Sequence, residues 1–105
     1  MNPAPRKVLI AGCGYVGSAL AQLLAAEGHD VTALRRSPRP LGEGIRTLQA
    51  DLVSARGLEQ LPERLDTVFY TVGADTFSEA AYRDAYVHGL KTLLSHLGAK
   101  PRLIY

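Results

Sequence analysis

Cysteine is almost missing from this 105-residue chain; Cys13 is the single one. That excludes an internal disulfide framework and fits a reducing compartment. Long apolar runs are missing as well. None approaches the ~20 residues that a membrane span requires. The opening MNPAPRK has prolines and a basic pair, but no apolar segment of the kind a secretory leader carries. Charge of one sign is not in excess, with 12 Lys and Arg against 10 Asp and Glu. The arginines scatter apart from Arg35, Arg36 and Arg39, without the interleaved aromatics of a nucleic-acid surface. These absences describe a cytoplasmic protein with neither a nucleic acid nor a membrane as partner.

The usual catalytic constellations are also lacking. His29, His88 and His96 have no paired ligands at metal-site spacing, and nothing couples them to Cys13. They read as surface or loop histidines, so no metal is expected. No serine sits in a G-x-S-x-G elbow, and Ser18 reads as a packing residue within a helix. Asp75, Glu79 and Asp84 are explained by helix-dipole complementarity and not by a catalytic carboxylate pair.

What is present is an alternation of short apolar runs with helical periodicity, which signals an α/β domain with a parallel sheet. The chain is 47% hydrophobic, and its length suits one domain. Strands are expected at Lys7–Gly12, Asp30–Arg35, Ile45–Ala50 and Asp66–Gly73, and a fifth begins at "RLIY". Helices are expected from Tyr15 to Glu27, stopped by Gly28, and from about Ser78 to Leu97, ended by Gly98 and Pro101. Another is expected over 54–65, with Ser54 as its cap and Leu58, Leu61 and Leu65 on one side, although Gly57 and Pro62 weaken it. "SPRPLGEG", Ser37–Gly44, reads as loop. The resulting architecture is a Rossmann-type three-layer sandwich whose five-stranded parallel sheet runs in the order 3-2-1-4-5.

The turn "GCGYVG" joins the first strand to the first helix. In such a turn Gly12 permits the tight bend, Gly14 lets backbone approach a pyrophosphate, and Gly17 lets the helix pack closely on the strand. The N–H groups around Tyr15 and Val16 would face phosphate, where the helix dipole favours negative charge. Alone the glycine pattern is a weak signal; between a strand and a helix it is a dinucleotide-binding fingerprint, whose alternative is a packing turn with no ligand. Cys13, between two glycines, reads as a small residue that fits there. About 20 residues after the first glycine, an NAD site carries Asp or Glu for the ribose hydroxyls. This chain has Arg35 and Arg36, which repel no 2′-phosphate and can pair with one through two hydrogen bonds. The pair favours NADP(H) over NAD(H); arginines simply solvated at a strand end are the other explanation.

With these segments in view, the chain resembles the short-chain dehydrogenase/reductase superfamily, and within it the extended and atypical branch of NAD-dependent epimerases and dehydratases. The opening "IAGCGYVGSALAQLLAAEGHDVTALRR" is very similar to that branch, and "LQADL", "VFYTVGA" and "AYVHGLKTLL" match its later segments in order. The resemblance implies that Asp51 contacts the adenine, with Leu52 beside it, and that Thr71, Val72 and Gly73, through to Ala74, line the cofactor. It also implies a catalytic Tyr-x-x-x-Lys pair after the fifth strand, with tyrosine as the acid/base. That pair is not in these 105 residues. Tyr82 and Tyr86 have no lysine four residues on, and Lys91 lies five after Tyr86, on the wrong helical face. Where the branch often has asparagine in an "NVxGT"-like stretch, this chain has Tyr86.

We therefore expect the amino-terminal part of a longer enzyme, binding cofactor without turnover. The alternative is a non-catalytic nucleotide-sensing or scaffold module with the same fold. The first helix should cover one sheet face and the helices at 54–65 and 78–97 the other. Part of the first face and the edge of the fifth strand would be left bare. A homo-oligomer or domain-swapped pair is the expected consequence.

Overall fold

The computed structural model describes residues 5–12, 15–36, 41–52, 54–62, 64–71, 80, 83, 87–97 and 102–104. Five strands lie in one parallel sheet: β1 (Lys7–Ala11), β2 (Asp30–Arg35), β3 (Ile45–Gln49), β4 (Thr67–Tyr70) and β5 (Arg102–Ile104), in the order β3-β2-β1-β4-β5. The central strand β1 pairs with β2 from Lys7↔Asp30 to Ala11↔Leu34, and with β4 from Val8↔Thr67 to Ala11↔Tyr70. β2 pairs with β3 and β4 with the short β5, so every carboxyl end lies on one side of the sheet.

Strands buried on both faces call for near-continuous apolar residues, and β1 and β2 come close: Val8–Ala11 and Val31–Leu34 are all buried, with Thr32 the one polar residue among them. Alternate residues serve opposite cores. Val8, Ile10, Val31 and Ala33 form one core with α1 (Tyr15–Ala26), which contributes Ala21 and, half-buried, Leu20, Leu24 and Ala25. Leu9, Ala11, Leu34, Val68 and Tyr70 form the other with α2 (Gly89–His96), which contributes Leu93. Each such aliphatic side chain stabilises the fold by about 1.5–3 kcal/mol on burial. α1 ends as its sequence predicts. Gly28 takes φ 91, its N–H donates to the Ala25 carbonyl, and the His29 N–H donates to the Leu24 carbonyl, the paired bonds of a glycine-terminated helix.

The helix expected over 54–65 does not form. Its place is taken by one 3-10 turn, Leu58–Gln60. Ser54 caps no helix; its hydroxyl accepts the Arg56 N–H at 3.3 Å, closing a local turn. Gly57 sits at φ 86 against the end of β3, where an added Cβ would overlap the Gln49 carbonyl oxygen and lie 3.1 Å from Ala50 Cα. Left-handed Ala55 and Arg64, together with Pro62, keep the segment irregular. The leucines still reach the core: Leu58 and Leu65 are buried and Leu61 packs against them. Their spacing reflects a buried side, not a helix.

The later helix is regular over α2, and Val87–His88 continue it upstream in a wider, π-type turn. Ala80 and Arg83 are also helical. Most of the expected 78–88 span lies outside the described residues, as do Gly98 and Pro101. Cover is uneven on the α1 face. The helix packs over β2, with β1 and β3 to its sides. Toward the other edge, Phe69 is half-buried and Ile104 exposed.

Candidate functional site

Parallel pairing brings the ends of β1, β2, β3 and β4 to a common rim. Ala11 pairs with Leu34 on one side and Tyr70 on the other, while Arg35 pairs with Gln49. Three main-chain bonds extend the ladder past the strands: Gly12 N–H to the Leu34 carbonyl at 3.0 Å, Ala50 N–H to the Arg35 carbonyl at 2.9 Å, and Thr71 N–H to the Ala11 carbonyl at 2.9 Å. Gly12, Arg35 and Thr71 are sequence-predicted site residues brought to this rim by pairing, and Asp51 follows directly on Ala50.

Gly12 leaves β1 at φ 90, and α1 starts three residues later. No acidic residue stands in the first turn of α1, so the positive end of its dipole is not neutralised there. Gly17, on the first turn, is buried. A Cβ at this position would overlap the Gly12 carbonyl oxygen and approach Thr71 Oγ1 to 2.7 Å. The third glycine therefore serves a close helix–strand contact, as its spacing predicts. Tyr15 opens the helix, and Val16 beside it is exposed. Cys13 and Gly14 lie outside the described residues.

Arg35 closes β2, half-buried, and Arg36 follows it, exposed. Gln49 holds this end in place, since its side-chain Nε2 donates to the Arg36 carbonyl at 3.1 Å. Sequence reasoning passed over Gln49; the signal lies in the β2–β3 register, which sets it opposite Arg35. Asp51 is half-buried, and its Oδ1 accepts the Ser54 N–H at 3.5 Å. Leu52 is packed in the core beneath the 3-10 turn. Thr71 is half-buried, and its hydroxyl donates toward the Gly12 carbonyl and, at 3.3 Å, the Ala11 carbonyl. Val72 and Gly73 lie outside the described residues.

A fold of this order with a glycine turn at its central rim matches a known family. The NAD dependent epimerase/dehydratase family matches over residues 8–102. The chain belongs to that family. A Methylobacillus flagellatus protein assigned to the NAD-dependent epimerase/dehydratases is 39% identical over 90% of this chain and 33% of its own, with a TM-score of 0.67. MoeE5, solved with UDP-glucose and NAD, is 26% identical over 86% of this chain and 31% of its own, with a TM-score of 0.68. Uronate dehydrogenase from Agrobacterium tumefaciens, solved in complex with NAD, is 21% identical, has a TM-score of 0.71 and shares the fold over 89% of this chain and 36% of its own. This chain thus spans about a third of the length of each. Among curated proteins no match is found. The family match favours an enzyme portion over the scaffold reading.

Other sequence candidates find structural explanations. His29 lies in the loop between α1 and β2, one of the two settings expected of it. Its ring is mostly buried, Nδ1 accepts the Arg6 N–H at 3.1 Å, and Nε2 lies 3.8 Å from the Glu27 carboxylate. His88 and His96 are exposed, the latter with Nδ1 2.8 Å from the Thr92 carbonyl oxygen. Among the described residues no three His, Cys, Asp or Glu side chains gather as metal ligands. Nor is any described helix long and apolar enough to cross a membrane.

Proposed function

We propose that this chain is the dinucleotide-binding part of an epimerase, dehydratase or oxidoreductase of its family, and that it binds NADP(H) in preference to NAD(H). The observation that carries the reading is the close approach of Gly17 to the Gly12 carbonyl at the central rim, beside an acid-free helix start and next to the strand that ends in Arg35. The site fits the cofactor on two counts. Glycine at 17 draws α1 tightly onto the end of β1, and the helix start leaves main-chain N–H groups for a diphosphate. Bound there, a nicotinamide dinucleotide supplies the hydride acceptor or donor that this family's chemistry needs.

The chain's own residues bind and orient. The turn and the first N–H groups of α1 hold the diphosphate. Asp51, with Leu52 behind it, marks the adenine side, and Thr71 with Val72 and Gly73 borders the other. Arg35 and Arg36 pair with a 2′-phosphate, where a carboxylate at the end of β2 would repel it. By themselves the 105 residues bind without turnover, because no Tyr-x-x-x-Lys pair is among them.

Titration of the chain with NADPH and NADH, beside an Arg35→Ala/Arg36→Ala double variant, tests the assignment. One charge-assisted bond contributes about 1.5–3 kcal/mol, so NADPH should bind at least roughly 10–100-fold more weakly to the variant while NADH changes little. Equal affinity for both cofactors, unmoved by the double change, would remove the 2′-phosphate assignment.

A further inference from the structure

The contact between the end of β4 and the glycine turn is not explained by sheet pairing. Thr71 already satisfies the ladder through its N–H to the Ala11 carbonyl. Its hydroxyl does something separate: it reaches back over 59 positions of sequence to the Gly12 carbonyl, the first of the turn. The same oxygen stands 2.7 Å from where a Cβ on Gly17 would be. Three residues therefore lock one another. Gly17 lacks the side chain that would displace the hydroxyl, the hydroxyl ties down the Gly12 carbonyl, and that carbonyl lies in the space left by the absent Cβ.

We propose that Thr71, besides bordering the cofactor, is a positioning residue for the diphosphate, acting through the Gly12 carbonyl. The inference rests on the dinucleotide reading above and names what sets the turn's direction. The bond from the Thr71 hydroxyl fixes the direction in which the Gly12 carbonyl points. A carbonyl free to swing toward the ligand would present partial negative charge to a diphosphate. Held by Thr71, it presents none. Valine matches threonine in shape but cannot donate, and serine keeps the donor.

The test uses the 105-residue chain and its Thr71→Val and Thr71→Ser variants, titrated with NADH, NADPH and ADP well below the melting temperature. Thr71→Val should weaken all three about tenfold, because each carries the diphosphate and the one half-buried bond that orients the turn is lost. Thr71→Ser should bind within about twofold of the unaltered chain. The Gly12 and Gly17 amide resonances should move in Thr71→Val and return in Thr71→Ser, which a loss of bulk stability alone would not produce. Unchanged affinity in Thr71→Val, or a serine variant as weak as the valine one, overturns the proposal. Thr71→Ala replaces Thr71→Val if valine prevents folding, with the same outcomes. Should the unaltered chain bind no dinucleotide, the reading of the site falls instead. The positioning contact is then judged by the amide resonances, and their failure to move in Thr71→Val overturns it.

Discussion

Two segments of this chain begin alike and end differently. Residues 12–26 and 51–65 each leave the carboxyl end of a strand and carry apolar residues at helical spacing, with a glycine near the start. The first becomes α1; the second becomes irregular backbone around one 3-10 turn. In both, the glycine is where it is because a backbone carbonyl occupies the space of its Cβ, Gly12 O at Gly17 and Gln49 O at Gly57. The difference is in the torsion. Gly17 sits within a regular helix, whereas Gly57 is left-handed at φ 86. Periodic leucines thus report which side is buried, and the torsion at the glycine decides whether the path between them is helical.

Alanine at each glycine probes this comparison, and the larger effect on stability is expected at 57. There a Cβ meets both costs, about 1–2 kcal/mol for the left-handed torsion and about 1–3 kcal/mol for overlap with the end of β3. Gly57→Ala should therefore lower stability by about 2–5 kcal/mol in urea denaturation. A loss under about 1 kcal/mol would mean the turn relaxes freely. At 17 the overlap is opposed by the gain of about 1 kcal/mol that alanine brings to a helix interior. Gly17→Ala should cost only about 0–2 kcal/mol of stability, yet it pushes α1 away from Gly12 and should abolish measurable NADH binding. Retained binding would break the link between close packing and the site. The smallest effect belongs to Ser54→Ala. A true helix cap loses about 1 kcal/mol on such a change; this serine closes only a local exposed turn, and a shift within about 0.5 kcal/mol is expected from the same denaturation measurement.

The legible parts of the fold were those governed by local pattern. β1 declares itself as an apolar run and β2 by Val31, Ala33 and Leu34 around Thr32. α1 is signalled by apolar residues at helical spacing, of which Leu20 and Leu24 reach the core while Val16, Ala19 and Leu23 are exposed, and its stop by Gly28. The segment 54–65 misleads because Gly57 and Pro62 compete with the leucine spacing, and which wins depends on how close β3 comes. His29 is a loop residue as its sequence setting suggests, but that setting says nothing of the Arg6 N–H that its ring accepts where β1 and β2 begin. At the site, the close helix–strand packing at Gly17 was readable from spacing. Gln49 and the role of the Thr71 hydroxyl were not.

By itself, then, the sequence determined the alternation of strand and helix, the glycine turn between them and the absence of a carboxylate at the end of β2. These follow from side-chain type and near-neighbour spacing, which act before the chain closes on itself. Only the tertiary structure decided that the Thr71 hydroxyl holds the Gly12 carbonyl, that Gln49 holds the backbone of Arg36, and that the leucines of 54–65 are buried without a helix. Each depends on atoms that meet only once parallel strands are in register, at sequence separations where local pattern carries no information.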